Sequence, residues 1–210
     1  MLKQANRRKR QELRTFSFTI IASIILLCFF GGIASAQTVN QTVNLKSGFN
    51  FIAFTVSPSL SPEELRQSNV TLIDDIYFYS ASAGSFLSLS EKTLTSLAAG
   101  KGYIVKAKTV GSMIVSGTAP TAVPDAQLKA GFNLIGISQS VSTNTFSGLM
   151  KSFGIIKGLY KWNASAGSFI QVVMDSAGTP QLLDVFDPQF QVGESYFINV
   201  YDNTTLSFGG

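Results

Sequence analysis

The chain has 210 residues, of which 45% are hydrophobic and 13% charged, with 17 Phe, one Cys, no His and a formal charge of +4. This length suits one or two domains, and the low charge argues against a disordered chain. The lack of His removes the Ser-His and Cys-His nucleophile pairs and every His-based metal site, while a single Cys allows neither an internal disulfide nor a thiolate zinc cluster.

The positive charge is concentrated at the N-terminus. Six of the 16 basic residues and one of the 12 acidic residues lie in the first 14 positions. From Gln37 onward there are 10 basic and 11 acidic residues, which is close to neutrality. Because this part lacks the electrostatic footprint of a DNA or RNA binder, we expect no nucleic-acid partner.

An apolar run over residues 16–34 follows the basic head, and it ends in the small-x-small sequence Ala34-Ser35-Ala36. This pattern predicts that residues 1–36 are a secretory signal peptide. An uncleaved anchor is the alternative, because the run approaches the ~20 residues that span a bilayer. Residues 16–34 would then be the membrane contact. Both alternatives predict an exported body that is extracellular, on the cell surface or periplasmic.

The rest of the chain contains an internal repeat. Residues 45–54 and 128–137 are identical at six of ten positions, and residues 77–86 and 160–169 at seven of ten, both at an offset of 83. A third similar pair, 100–105 and 193–198, lies at an offset of 93, so the second copy carries an insertion between Phe169 and Gly193. We predict repeat 1 at 43–117, an extended linker at 118–125 and repeat 2 at 126–210.

Each copy predicts one short helix. Ser61-Pro62-Glu63-Glu64 fits an N-cap, a proline at N1 and a capping-box glutamate at N3. The helix that follows is expected to reach Asn69. In the second copy the corresponding helix should start at Asn144 or Thr145 and run to Ser152.

The remaining segments predict strands. A short apolar stretch at 49–54 is typical of a buried strand, and further strands are expected at 73–79, 86–89, 103–108 and 112–115. The glycine of the loop Ser80–Ser85 suits a left-handed position in a hairpin. The predicted fold class is therefore mainly β with one short helix per repeat, in the order strand, helix and four strands.

The recurring motifs resemble a module of exported prokaryotic proteins. They are Leu-Lys-x-Gly-Phe-Asn-x-Ile, Tyr-x-Tyr/Trp with Ala-Gly-Ser-Phe, and Gly-x-x-Tyr-x-Val/Ile. Such modules occur in tandem on surface and S-layer-associated proteins, usually without an assigned activity. The resemblance covers nearly all of 43–210 and implies no catalytic residues. Phe49 and Phe132 stand where the modules usually have Trp, and Ser195 replaces their second Gly in the second copy.

Four aromatic positions recur in both copies: Tyr77, Tyr79, Phe86 and Tyr103, matched by Tyr160, Trp162, Phe169 and Tyr196. Residues two apart on a strand share a face, so we expect these side chains in the core. The position between the first two, Phe78 or Lys161, would then face solvent. Aromatic rings also stack on sugars or peptides, which makes Trp162, Tyr160 and Lys161 the candidate ligand-binding residues.

The carboxylates suggest weaker alternatives. Asp74 and Asp75 are adjacent and point to opposite strand faces, so they cannot act as a pair. Asp184 and Asp187 are a candidate hydrolase pair near the insertion. No spacing among Asp175, Asp184, Asp187 and Asp202 resembles a calcium loop, so we expect no metal and no cofactor.

The sequence therefore predicts a non-enzymatic exported interaction or structural protein of the surface or envelope. Its partner would be an envelope protein or a glycan. A carbohydrate-binding module that uses Trp162, Tyr160 and Lys161 is one alternative. A membrane-anchored subunit of an extracytoplasmic assembly is another, and a hydrolase that uses Asp184 and Asp187 is a third.

Overall fold

The computed structural model describes residues 37–208 except Thr143 and Val185. The predicted signal peptide or anchor, residues 1–36, lies outside the described residues. Within the described part, no helix is long and apolar enough to cross a membrane. We refer to residues 37–118 as the first half and to residues 126–208 as the second half.

The described part is mainly β, with one seven-residue helix in each half, which confirms the predicted fold class. The first half contains β1 (Thr38–Leu45), β2 (Gly48–Ala53), β3 (Ser57–Pro58), α1 (Pro62–Ser68), β4 (Ile73–Ser80), β5 (Ser85–Ser88), β6 (Gly102–Ala107) and β7 (Gly111–Thr118). The second half contains β8 (Ala126–Leu128), β9 (Gly131–Gly136), α2 (Phe146–Ser152), β10 (Ile156–Asn163), β11 (Ser168–Met174), β12 (Pro180–Leu182), β13 (Ser195–Val200) and β14 (Thr204–Leu206).

The two halves have similar antiparallel sheets. In the first half the strand order is β2-β6-β4-β5, beside a smaller sheet β1-β7-β3. In the second half the order is β9-β13-β10-β11-β12, beside the pair β8-β14. Each strand of the first large sheet thus has a counterpart in the second, which has one additional strand at its edge.

Local sequence signals explain both helices. The Ser61 hydroxyl accepts a hydrogen bond from the Glu64 backbone N–H at 3.3 Å, and the Glu64 carboxylate accepts one from the Ser61 N–H at 2.8 Å. These bonds satisfy donors that the first helical turn would otherwise leave unpaired. In the second half Thr145 caps α2 by accepting from the Gly148 N–H at 3.2 Å. Both predicted helix starts are confirmed.

Each half encloses its own hydrophobic core. The helix contributes Leu65 in the first half and Leu149 in the second, and both are 1% exposed. The strands supply most of the remaining core residues, among them Leu45, Ile76, Val105 and Val115 in the first half. Their equivalents in the second half are Leu128, Leu159, Ile198 and Phe208.

The insertion forms the additional edge strand. β12 pairs with β11 through Val172 and Leu182, Val173 and Gln181, and Met174 and Pro180. A tight turn precedes it, in which the Asp175 carboxylate accepts from the Ala177 N–H at 2.9 Å and the Thr179 N–H at 2.8 Å. The sequence analysis located this insertion but did not predict a strand there, and it also missed β1, β3 and β8.

The two halves meet through a pair of equivalent backbone contacts. The Ala53 N–H donates to the Gly193 carbonyl at 2.8 Å, and the Gly136 N–H donates to the Gly100 carbonyl at 3.2 Å. Ile52 also pairs with Glu194, and Ile135 with Lys101. Residues 53 and 136 differ by the repeat offset of 83, and residues 100 and 193 differ by the offset of 93, so the two hydrogen bonds join equivalent positions. The halves are therefore related by an approximate two-fold axis. We call this contact the junction.

The junction leaves no room for a side chain at residue 136. A Cβ atom built on Gly136 would lie 2.7 Å from the Ala53 Cβ and would also collide with the Lys101 carbonyl. Real Cβ atoms essentially never approach so closely, so glycine allows the two backbones to touch.

Gly136→Ala should therefore destabilise the protein by about 1–3 kcal/mol, because the backbone of one half would have to move away from the other. Gly154→Ala is the matched control, since nothing lies within 4 Å of a Cβ at that position. Thermal unfolding of both variants measures the effect. Equal thermal midpoints for Gly136→Ala and the unsubstituted protein would contradict the close backbone contact at the junction.

Candidate functional site

Most of the matched aromatic residues lie outside the cores, contrary to the sequence prediction. Only Tyr103 and Tyr196 are buried, at 1% and 0% exposure. Tyr77, Tyr79, Tyr160 and Trp162 are half-buried, whereas Phe86 and Phe169 are exposed. The core prediction was therefore right for one matched pair and wrong for the other three.

A β-bulge explains the reversal. In β4 the register against β6 shifts between Ile73 and Asp75, so that one extra residue is inserted. Ile73 and Ile76, three positions apart, are consequently both fully buried. The alternation that follows places Phe78 towards the core and leaves Tyr77 and Tyr79 on the opposite face. β10 has the same shift between Ile156 and Gly158.

The outward rings of the two sheets face one another and line two adjacent cavities. The first, of about 370 Å³, is lined by Phe49, Phe51, Tyr77, Phe86, Ile104, Trp162, Phe169 and Phe197. The second, of about 470 Å³, is lined by Tyr79, Phe132, Tyr160, Phe169, Gln171 and Phe197. Since Phe169 and Phe197 line both cavities, we treat the two cavities as one surface, the aromatic trough.

The rings of the trough contact one another across the two halves. The Phe197 ring lies 5.2 Å from that of Tyr79, centroid to centroid, and the Phe51 ring lies 5.5 Å from that of Phe169. Both pairs are edge-to-face, the geometry that the ring quadrupoles favour. The trough is therefore built by both halves, and it depends on how they pack.

A more polar cavity of about 640 Å³ lies between the two halves. Its polar lining comes from Gln41, Thr42, Asn44, Lys46, Asn50 and Thr55 in the first half and from Lys161, Asn163, Glu194 and Ser195 in the second. Phe51 and Trp162 line both this polar cavity and the first cavity of the trough. Their rings stack at 5.5 Å with 29° between the planes, so this pair separates the two spaces.

The three predicted ligand-binding residues do not share one site. Trp162 is held by the first half, because its indole N–H donates to the Phe49 carbonyl at 2.8 Å. Lys161 lies on the opposite strand face and donates to Glu194 at 2.7 Å. Lys161 and Trp162 both line the polar cavity, whereas Tyr160 lines the trough beside Phe132.

The candidate carboxylates have structural hydrogen-bond partners. Asp184 accepts from the Gln171 N–H at 3.0 Å, and Asp187 accepts from the Ser147 N–H and hydroxyl at the start of α2. Lys106 lies 2.8 Å from Asp74 and lowers the pKa of that carboxyl. Within the described residues, no group of three or more His, Cys, Asp or Glu side chains could hold a metal ion.

The Gly-Phe-Asn motif of both halves has a structural explanation. The buried Asn50 side chain accepts from the Lys46 N–H at 2.8 Å and donates to the Lys46 carbonyl at 2.7 Å. Asn133 makes the same pair of bonds to Lys129. The asparagine thus closes the turn before the strand, and the preceding phenylalanine, Phe49 or Phe132, remains 45% or 43% exposed. The sequence analysis did not identify these two phenylalanines as surface residues.

No protein-family model, curated protein or solved structure matches this chain. The trough and the polar cavity are therefore the features that bear on its function. Both lie between the halves, and Trp162 contributes to each.

The two buried tyrosines lie behind the trough, in the cores. Burial raises the pKa of Tyr103 to about 12. Its hydroxyl accepts from the Ala98 N–H at 2.9 Å. The pKa of Tyr196 is also raised, by burial first and then by Glu194, whose carboxylate accepts from the hydroxyl at 2.7 Å.

The raised pKa of Tyr103 predicts a loss of stability at alkaline pH. The folded state favours the neutral phenol, so its contribution is complete below the unfolded pKa of about 10 and is lost as the pH rises towards 12. In Tyr103→Phe the free energy of unfolding should be lower at pH 8 and should fall less steeply above pH 10. Urea unfolding at several pH values measures both effects.

Phe54→Leu is the control for this experiment. Phe54 is equally buried and packs 5.3 Å from the Tyr103 ring, but it does not titrate. The control should lower the free energy of unfolding without changing how steeply it falls with pH above pH 10. If the free energy of unfolding of Tyr103→Phe falls as steeply above pH 10 as that of the unsubstituted protein, the prediction is wrong.

Proposed function

We propose that this chain is an exported, non-enzymatic interaction protein of the cell surface or envelope, and that the aromatic trough is its binding surface. The proposal is supported mainly by the position of three of the four matched aromatic pairs, which the two halves hold outside their cores. Export is inferred from the basic head, the apolar run and the Ala34-Ser35-Ala36 sequence.

The exposure of these rings favours binding over a purely structural role. Phe51 and Phe197 are half-buried and contact rings of both halves, so their burial already stabilises the junction. Phe86, Phe132 and Phe169 are still 48%, 43% and 36% exposed. Contiguous apolar surface of this kind commonly marks an interaction site, and aromatic residues dominate the energetics of such sites.

The double variant Phe86→Ala with Phe132→Ala tests this role, because one side chain lines each cavity of the trough. Binding of the purified exported protein to the envelope fraction of the producing organism can be measured by co-sedimentation. We expect the double variant to bind at least tenfold more weakly, with a thermal midpoint close to that of the unsubstituted protein.

Phe186→Ala provides the matched control. Phe186 is 54% exposed and lines neither cavity of the trough, so its removal should leave envelope binding unchanged. Equal binding by the double variant and the control would refute the trough as the binding surface.

Carbohydrate binding is a second candidate function, located in the polar cavity. Trp162 lies there beside Lys161, Asn44 and Asn163. A ring with neighbouring amide and ammonium groups can stack on a sugar and hydrogen-bond to its hydroxyls. The observation that favours this candidate is the meeting of Trp162 and Lys161 at one cavity.

Fluorescence provides a direct test, since Trp162 is the single tryptophan of the chain. Titration with envelope polysaccharides should shift its emission if a saccharide enters the polar cavity. Asn44→Ala should weaken the response several-fold, whereas Asn40→Ala, on the same strand face but outside the cavity, should not. The absence of a shift with every envelope polysaccharide would eliminate this candidate.

A further inference from the structure

We propose that the aromatic trough binds a small, uncharged amphiphile, with its hydrocarbon part in the first cavity and its hydrogen-bonding end group in the second. The inference rests on the proposed function, because it takes the trough as the binding surface and adds the chemical class of the ligand. The chemistry of the two cavities carries it.

The first cavity offers almost no hydrogen-bonding partner. All eight lining side chains are aromatic or aliphatic. The Trp162 N–H is already donated to the Phe49 carbonyl, and the Tyr77 hydroxyl interacts with Asp75. An amide or hydroxyl buried here would lose its water without compensation, at a cost of about 2–7 kcal/mol. A hydrocarbon group therefore fits this cavity better than a peptide backbone or a sugar does.

The trough also lacks charge. None of its lining residues is ionic at neutral pH. Lys106 lies on the same sheet face as Ile104, but it is paired with Asp74 at 2.8 Å. A charged group held against these rings would be desolvated without a partner, so the ligand should be uncharged.

The second cavity differs because it contains polar groups. The Gln171 side chain lines it beside the hydroxyl-bearing Tyr79 and Tyr160. The Tyr160 hydroxyl has Asn199 as a partner, whereas Gln171 uses its backbone N–H for Asp184 and its side-chain amide makes no hydrogen bond to another described residue. A neutral hydroxyl, ester or amide end group could donate to or accept from this side chain. The trough thus changes from apolar to polar along its length, as an amphiphile does.

The size of the cavities is consistent with a small molecule. Each volume, about 370 Å³ and about 470 Å³, lies within the range of ordinary ligand sites. Phe169 and Phe197 line both, so a chain could extend past these two rings from one cavity to the other. A folded protein partner could insert only isolated side chains into such a space, and this possibility is an outcome of the test below.

The test uses the neutral fluorophore N-phenyl-1-naphthylamine with the purified exported protein in buffer free of detergent. The probe should bind, quench Trp162 by energy transfer and be displaced by 1-decanol. Sodium decanoate, which has a similar chain and a negative charge, should require at least tenfold higher concentration. Equal displacement by both would overturn the requirement for a neutral ligand.

Four variants locate the binding. Phe86→Ala and Phe169→Ala should each weaken probe affinity about tenfold, whereas Phe186→Ala should leave it unchanged. Gln171→Leu should preserve probe affinity and weaken displacement by decanol several-fold. Far-ultraviolet circular dichroism checks that every variant remains folded. Probe binding that is insensitive to the two trough phenylalanines would place the probe elsewhere and refute the proposal.

Comparison with the co-sedimentation experiment separates the two proposals. If the double variant loses envelope binding but neither the probe nor decanol binds the unsubstituted protein, the trough recognises another partner, and only the amphiphile proposal fails. If envelope binding is unaffected by the substitutions and no probe binds, both proposals fail.

Discussion

The backbone contact between the two halves is the constraint on which the rest of the structure depends. Hydrogen bonds from Ala53 to Gly193 and from Gly136 to Gly100 fix the large sheets relative to each other. Because residue 136 has no side chain, the strand ends approach until their backbones touch. The outward faces of the sheets then lie close enough for Phe51 and Phe197 to meet rings of the opposite half. Without this contact the aromatic residues would form two separate surfaces.

The two halves use equivalent positions differently. In the first half Lys101 lies 5.9 Å from the Phe78 ring, a cation–π contact. At the matched positions of the second half Glu194 pairs with Lys161 at 2.7 Å. Likewise Tyr79 has Trp162 as its counterpart, and Trp162 reaches across to the Phe49 carbonyl. The second half thus has an ion pair where the first half has a cation–π contact, and both members of this ion pair line the polar cavity.

Short-range signals in the sequence predicted much of the fold. Ser61 and Thr145 identified the helix starts because capping needs only local residues, and the glycines of the repeated hairpin loop, Gly84 and Gly167, do adopt positive φ angles of 62° and 65°. The face of each strand was not predictable in this way. Alternation from Ile73 assigns Tyr77 to the core, but the bulge shifts every later residue by one position. Such a bulge depends on the partner strand, so the trough could not be found from the sequence pattern alone.

The additional strand β12 also affects how the molecule can meet other chains. An exposed strand can template further pairing, which is the usual route to fibrous aggregates. β12 covers the far part of β11, is only three residues long and begins with Pro180, which has no N–H to donate. β12 is therefore a poor template for pairing with a strand of a second molecule. The insertion in the second half therefore limits edge-to-edge pairing of this phenylalanine-rich chain along this side of the sheet.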